Sequence, residues 1–258
     1  MDTTNPNHVK KFRYLEVVKA IPKPKIVILT GAGISAESGL KTFRDNNGLW
    51  ENHSIEEVAT PEGFAKNPDL VYRFYNERRT QLLSKDVKPN AAHIALGKLE
   101  AQLGNHCIVV TQNVDNLHER GGSINVLHMH GELTSAKCIT TGKAVNTSET
   151  IDANTLCSCC QPANAMRPDI VWFGEMPYHM DAIESHIYNC DLFVSIGTSG
   201  NVYPAAGFVS FANQCGAHTL ELNLEPSNVN TEFAESYYGK ASEIVCEFVS
   251  QVQSCIST

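Results

Sequence analysis

The sequence predicts an α/β fold: a doubly wound parallel sheet with a smaller second lobe. Short runs rich in Val, Ile and Leu recur along the chain, stretches with helical spacing separate them, and two long polar segments interrupt this alternation. Continuous apolar runs are typical of parallel strands buried on both faces. A chain of 258 residues is long enough for one main core that carries an inserted lobe.

The apolar runs mark the predicted strands in chain order. They are residues 25–30, 107–111, 124–127, 191–196 and 218–222. Residues 91–103 place Ile94, Leu96, Leu99 and Leu103 on or beside one helical stripe, and residues 242–256 show similar spacing. Because strands and helices alternate, we expect a parallel sheet with helices on both faces and a closing helix at the end.

The two polar segments are too long to be ordinary strand-to-helix connections. Residues 51–87 have a helical pattern, and residues 132–167 are rich in Thr, Ser, Asn and Cys. We expect both to be insertions that form the second lobe of a single domain, residues 1–258. The main core would then comprise about residues 20–50, 88–131 and 168–258.

Charge and hydropathy limit the class of partner. The formal net charge of -8 argues against binding to nucleic acid or to an anionic membrane, and favours basic protein tails. Residues 1–11 lack an apolar signal core, and no later apolar run is long enough to span a bilayer. We expect a soluble cytoplasmic protein whose nine cysteines are reduced.

A glycine-rich turn follows the first predicted strand. Small residues there would let the backbone approach a pyrophosphate at the start of a helix. The candidate residues for this dinucleotide site are Gly31, Ala32, Gly33, Ser35, Ala36 and Glu37. The alternative is a tight turn without a ligand. No second strand ends in an acidic residue roughly 20 positions later, as in a hydride-transfer dehydrogenase, although Glu225 after a later strand could bind the ribose.

Five motifs in order resemble the sirtuin family. They are residues 31–50 (GAGISAESGLKTFRDNNGLW), 111–118 (TQNVDNLH), 127–132 (LHMHGE), 168–177 (PDIVWFGEMP) and 197–199 (GTS). The resemblance covers about residues 25–248 and implies a Rossmann-type large domain. It also implies a small lobe built from a helical insertion and a zinc-ribbon-like insertion. Members transfer an acyl group from a protein lysine to ADP-ribose and release nicotinamide, so NAD is a consumed co-substrate.

The resemblance also assigns catalytic residues. Gln112, Asn113 and Asp115 would line the pocket for nicotinamide and its ribose, although Asn and Asp at this spacing are also common turn formers. His130 would be the general base, because the ordinary pKa of histidine lies near neutral pH. His128 would share its face if this segment stayed extended.

Further NAD contacts are implied on a predicted mobile loop and near the ends of later strands. The loop residues are Thr42, Phe43, Arg44 and Trp50. The later residues are Gly197, Thr198, Ser199, Asn223, Leu224, Glu225 and Ala241.

Tyr75 and Arg78 lie three apart in a helical pattern, so their side chains can converge. A guanidinium binds a carboxylate at two points, and this pair resembles the feature by which class III sirtuins accept succinyl- and malonyl-lysine. The alternative is a solvated helix face. A predicted edge strand would bind the substrate peptide through Val171, Trp172, Phe173, Gly174 and Glu175.

The cysteine pattern departs from the family. Two Cys-x-x-Cys pairs would hold a structural zinc ion, but the first pair here has Cys138 followed by Thr141. Cys157 and either Cys160 or Cys159 could complete the site with a fourth ligand from elsewhere. A degenerate site that binds metal poorly is the alternative.

Two other functions are compatible with an NAD cleft. A mono-ADP-ribosyltransferase would use the same nicotinamide displacement and transfer ADP-ribose to a protein side chain. A non-catalytic NAD-sensing module would be expected to lack Asn113, Asp115 or His130, and all three are present. The favoured function is deacylation of lysine in proteins or peptides, with succinyl, malonyl and acetyl as substrates.

Overall fold

The computed structural model describes residues 12–40 and 53–256. The strands in these ranges are β1 (Ile26–Thr30), β2 (Cys107–Thr111), β3 (Val126–His128), β4 (Gly131–Cys138), β5 (Ala144–Asn146), β6 (Met166–Ile170), β7 (Leu192–Ile196), β8 (His218–Asn223) and β9 (Glu235–Tyr238). The helices are α1 (Tyr14–Ala20), α2 (Ile55–Val58), α3 (Pro61–Lys66), α4 (Pro68–Leu82), α5 (Ala91–Leu103), α6 (Leu117–Arg120), α7 (Met180–Tyr188), α8 (Phe208–Gln214) and α9 (Ala241–Ile256).

A six-stranded parallel sheet has the order β3-β2-β1-β7-β8-β9. Every residue of β1, β2 and β7 is buried, as the continuous apolar runs predict. All five predicted strands are confirmed, with small differences at their ends. The chain crosses from β1 to β2 on one side and later returns to β7 on the other, so the strand order reverses at β1.

Helices cover both faces of this sheet. Ile26 and Ile28 of β1 belong to a core cluster with side chains of α1, α5 and α9. Val27 and Leu29 point to the opposite face and belong to a cluster with α7 and α8. Successive side chains of a strand alternate between faces, so one apolar strand contributes to both cores. The doubly wound α/β fold is confirmed.

The second lobe combines helices α2, α3 and α4 with a small antiparallel sheet. Strands β5, β4 and β6 pair in that order. Helix α4 begins with Pro68, and the Asn67 side chain accepts a hydrogen bond from the Leu70 backbone N–H at 3.2 Å. The buried Arg79 of α4 donates from Nε to the Leu133 carbonyl of β4 at 2.6 Å. This contact ties the two predicted insertions together, and their exact boundaries stay a prediction.

None of the helices in the described ranges is both long enough and apolar enough to cross a membrane.

Candidate active site

The glycine turn after β1 packs directly on the loop after β7. Gly31 N–H donates to the Ile196 carbonyl at 3.0 Å, and Gly33 N–H donates to the Gly197 carbonyl at 2.8 Å. A Cβ atom on Gly33 would lie 2.7 Å from the Gly197 Cα, so a larger residue cannot fit without a backbone shift. Close backbone approach is therefore one reason for these glycines.

The prediction of a helix directly after this turn is wrong. Residues 32–34 and 36–38 instead form two short 3₁₀ turns. Ser35 N–H bonds to the Ala32 carbonyl and Gly39 N–H bonds to the Ala36 carbonyl, so each turn closes over three residues. Gly39 then adopts a left-handed conformation with φ of 87°, which ends the second turn.

A buried polar cluster connects the glycine turn with the loop after β2. The Ser35 hydroxyl donates to Asp115 Oδ2 at 3.0 Å and accepts from Asn113 Nδ2 at 3.2 Å. Asp115 Oδ1 accepts from the Leu117 N–H at 3.0 Å. Burial raises the pKa of Asp115, and the bonds from Leu117 and Ser35 act in the opposite direction. The predicted pair Asn113 and Asp115 is thus brought together around one hydroxyl.

The ends of β2, β7 and β8 are also bridged by side chains. Gln112 Nε2 donates to Thr198 Oγ1 at 3.1 Å, and Asn223 Nδ2 donates to the Thr198 carbonyl at 2.7 Å. These contacts lie at the carboxyl ends of the strands where the strand order reverses. Open α/β sheets bind ligands at this position.

His130 lies in the turn between β3 and β4. Its Nδ1 is 3.0 Å from the Gln112 carbonyl oxygen, which can only accept, so Nδ1 carries the hydrogen and Nε2 keeps a lone pair. Burial lowers the pKa of His130, and the bond to Gln112 acts against this effect. The imidazole is therefore neutral near pH 7, as a general base must be.

His128 has a different environment from His130. Its Nε2 lies 2.7 Å from Glu119 Oε1, and its Nδ1 lies 3.3 Å from the Asn113 carbonyl oxygen. Both partners are acceptors, so this geometry favours the imidazolium. Nothing in the sequence marks this contact, because Glu119 lies in α6 and only the tertiary fold brings that helix beside β3.

The remaining predicted NAD residues divide into three groups. Glu37 accepts bonds from the Ser242 N–H at 2.9 Å and the Ser242 hydroxyl at 2.6 Å, beside Ala241 at the start of α9. Ala36, Leu224 and Glu225 are exposed, and the Ser199 carbonyl accepts from a neighbouring loop. The third group, Thr42, Phe43, Arg44 and Trp50 with their predicted mobile loop, lies outside the described residues. For all of these, contact with NAD stays a prediction.

The arginines of α4 have three distinct environments. Arg73 is exposed, Arg79 is buried, and the Arg78 side chain is 16% exposed. The Arg78 guanidinium carbon lies 4.5 Å from the centre of the Phe74 ring, and Nη2 lies 3.7 Å from Glu77 Oε2. Arg78 therefore does not belong to a solvated helix face.

Tyr75 is fully buried, one turn before Arg78 on the same helix. Its hydroxyl accepts a hydrogen bond of 3.0 Å from Trp172 Nε1. The pair predicted from the sequence thus lies on one helix, with Tyr75 facing the segment that follows β6.

The prediction of an edge strand at residues 171–175 is wrong. Val171 N–H bonds to the His130 carbonyl, and Phe173 N–H bonds to the Ala59 carbonyl, each at 2.9 Å. Glu175 N–H then closes a turn on the Trp172 carbonyl. The apolar Val-Trp-Phe run resembled a strand, but the chain bends because its backbone donors are bound by two different neighbours. Phe173 and Gly174 are exposed at this turn.

Four cysteines converge beside α4. The Sγ atoms of Cys138, Cys157, Cys159 and Cys160 all lie within 4.8 Å of one another, and Cys138 and Cys160 are 3.8 Å apart. Four thiolates at about 2.3 Å from a tetrahedral zinc ion would be separated by roughly 3.8 Å, so the cluster fits this metal. Cys159 and Cys160 both belong to the cluster, so no ligand from elsewhere is needed. Thr141 lies at the edge, with Oγ1 at 3.1 Å from Cys159 Sγ.

Comparison with known proteins agrees with this geometry. The sequence model of the Sir2 family matches residues 31–204, and the chain belongs to this family. An NAD-dependent protein deacylase of Pasteurella multocida (strain Pm70) is 60% identical over 88% of this chain and 97% of its own. One of Escherichia coli (strain K12) with the same name is 55% identical over 93% of this chain and 86% of its own.

Solved structures show the same fold. A mutant Sir2 homologue in complex with ADP-ribose superposes with a TM-score of 0.83 at 35% identity, covering 94% of this chain and 97% of that one. A Sir2 homologue in complex with NAD gives 0.82 at 34% identity, covering 95% and 94%.

Proposed function

We propose that this chain is an NAD-dependent protein-lysine deacylase that removes succinyl, malonyl and acetyl groups. One water molecule is consumed, and the products are the free lysine, nicotinamide and 2'-O-acyl-ADP-ribose. The observation that carries this proposal is the convergence of a neutral His130 with Asn113 and Asp115 at the switch point of the sheet. The names and high identity of the relatives support it.

The polar cluster suits the first step of this reaction. The acyl-lysine amide oxygen is a weak nucleophile, so the sugar and the leaving nicotinamide must be held in line with it. Asn113 and Asp115 are fixed by Ser35 and offer an amide and a carboxylate to the ribose. Their fixed orientation lowers the entropic cost of reaching the reactive geometry.

His130 suits the second step. A ribose hydroxyl must lose its proton as it attacks the carbon of the former amide, and His130 Nε2 has the lone pair to accept that proton. The bond from Nδ1 to Gln112 holds the ring in the required tautomer.

The two alternative functions gain no support from the site. A sensing module needs no general base. His130, however, is held in the tautomer that a general base requires, with the lone pair on Nε2. Transfer of ADP-ribose to a side chain gives Tyr75 and Arg78 no role.

The acyl pocket would be formed by Tyr75 and Arg78. A partly shielded guanidinium pairs more strongly with a carboxylate than a solvated one does, and Arg78 is mostly shielded. Acetyl-lysine remains a substrate because apolar contacts in the pocket do not require a carboxylate. The exposed turn at Phe173 and Gly174, within residues 171–175, would contact the peptide.

The partners would be acyl-lysine proteins or peptides, and the net charge of -8 favours those with basic flanking residues. A cytoplasmic location is part of this proposal.

Replacing Arg78 by Met tests the acyl assignment. The Arg78→Met variant keeps an apolar stem and loses the charge-assisted bonds to the acyl carboxylate. We expect the ratio of kcat/KM for succinyl-lysine to that for acetyl-lysine to fall roughly thirtyfold. Matched acetyl-, malonyl- and succinyl-lysine peptides, assayed for nicotinamide release, give this ratio.

Arg73→Met is the matched control, because Arg73 is exposed on the same helix. It should leave the ratio unchanged. Equal losses on both peptides in Arg78→Met would remove the acidic pocket from the proposal.

A further inference from the structure

The Trp172 indole makes a directional contact with the acyl pocket. Its Nε1 donates to the Tyr75 hydroxyl oxygen at 3.0 Å. An indole N–H can only donate, so the tyrosine oxygen is the acceptor and its own hydrogen must point away from Trp172. One hydrogen bond therefore restricts the direction in which the hydroxyl can donate.

Trp172 is itself held by an ion pair. The Arg167 guanidinium carbon lies 3.6 Å from the centre of the Trp172 ring, and Arg167 Nη2 donates to Glu175 Oε2 at 2.6 Å. The same carboxylate oxygen accepts from the Trp172 backbone N–H at 2.9 Å. Glu175 thus fixes the backbone of Trp172 and, through Arg167, its ring.

Three side chains of this arrangement are shielded from solvent. Trp172 is 1% exposed, Arg167 is 8% exposed and Tyr75 is fully buried. The Phe64 ring also packs against Trp172, at a centroid distance of 5.1 Å. Burial also raises the pKa of Tyr75, so its hydroxyl keeps its proton and can donate at neutral pH.

We propose that Trp172 is a positioning residue for acyl selectivity: its indole N–H directs the Tyr75 hydroxyl toward the carboxylate of an acidic acyl group. The Arg167 and Glu175 pair holds the indole in that orientation. This inference rests on the proposed function, in which Tyr75 and Arg78 bind that carboxylate. Trp172 and Glu175 would then support the acyl pocket instead of binding the substrate peptide.

The Trp172→Phe variant removes the N–H and keeps an aromatic ring beside Arg167 and Phe64. The hydroxyl of Tyr75 then loses the bond that restricts its direction, and part of its donation to the acyl carboxylate is lost. We expect the succinyl-to-acetyl ratio of kcat/KM to fall about tenfold.

A double-mutant cycle separates orientation from packing. Tyr75→Phe should lower the same ratio, and Trp172→Phe combined with Tyr75→Phe should lower it no further than Tyr75→Phe alone. Tyr72→Phe is the matched control, because it removes another buried hydroxyl from α4, one bonded to the Met166 carbonyl at 2.7 Å. It should leave the ratio unchanged.

The proposal is overturned if Trp172→Phe lowers both activities equally, or if its loss multiplies with that of Tyr75→Phe. Should Trp172→Phe melt far below the wild type, Arg167→Lys decides instead. The Arg167→Lys variant keeps the charge opposite Glu175 and removes the planar stack on Trp172. An unchanged succinyl-to-acetyl ratio of kcat/KM in this variant overturns the proposal.

The wild type and Arg78→Met distinguish this failure from failure of the proposed function. If the wild type removes succinyl and Arg78→Met loses that selectivity, an unchanged Trp172→Phe ratio rejects only the positioning role. If the wild type does not remove succinyl at all, the acyl assignment itself is wrong.

Discussion

His128 shows what a single buried residue contributes near the active site. Both ring nitrogens face acceptors, the Glu119 carboxylate and the Asn113 carbonyl. Burial opposes the charged form, but the hydrogen bond and the charge of Glu119 outweigh it and raise the pKa of His128. The charged ring therefore supports the loop that carries Asn113 and Asp115.

The raised pKa gives this pair a defined pH dependence. Its stabilisation is fully present below the pKa of histidine in the unfolded chain, about 6.5, and is lost as pH rises through the higher folded pKa. Glu119→Gln should therefore lower the free energy of unfolding at pH 6 by about 1 kcal/mol, since Glu119 is partly exposed. Urea unfolding at pH 6 and pH 9 measures the change.

Glu184→Gln, on the exposed face of α7, is the control and should have no such effect at either pH. A loss for Glu119→Gln that is larger at pH 9 than at pH 6 would contradict a charged His128.

At the same scale, sequence motifs predicted His130, Asn113 and Asp115 because each motif is local. The partners of His128 and Trp172 could not be predicted from the sequence. Glu119 in α6 reaches His128, and Tyr75 in α4 reaches Trp172, only in the folded chain, so no spacing along the sequence records these contacts.

Among the elements, the apolar strands and the helices with regular apolar spacing were the most predictable. The predicted helix at 91–103 and the closing helix are confirmed, and the latter buries Val245, Phe248, Val249 and Val252. Ile94 is an exception, since it lies on the exposed side of its helix. The unpredicted β9 reads Glu-Ser-Tyr-Tyr and is only partly buried at the sheet edge, so no apolar run marks it.

The cysteine cluster stabilises the element that carries it. Cys138 ends β4, and Cys138 and Cys157 pack with Tyr72 of α4 in one core cluster. We expect a structural zinc ion there. Cys138→Ser should lower the bound zinc well below one ion per chain and lower Tm, because structural zinc contributes directly to folding. Metal analysis of the purified protein and thermal unfolding measure both.

Cys215→Ser provides the control, since Cys215 follows α8 and lies outside the cluster. Full zinc occupancy in Cys138→Ser would contradict the four-thiolate assignment. Absence of zinc from the wild type would favour the degenerate site.

For the whole molecule, the order of strands explains where the chemistry lies. The strand order reverses at β1, the position where open α/β sheets bind ligands, and the motifs fall at the ends of the neighbouring strands β2 and β7. Alternation of strands and helices predicted a parallel doubly wound sheet, but not its strand order. The packing of α4 on β4 and β6 could not be predicted, because it depends on contacts such as Arg79 with Leu133 that join distant segments.

The most direct test of the account follows the acyl group itself. The protein is incubated with NAD and a peptide whose lysine carries a ¹³C-labelled succinyl group, and the products are identified by mass spectrometry. We expect labelled succinyl-ADP-ribose, nicotinamide and free lysine peptide in equal amounts, and no reaction without NAD. Labelled free succinate formed while NAD stays intact, or ADP-ribose attached to the peptide, would contradict transfer of the acyl group to NAD-derived ribose.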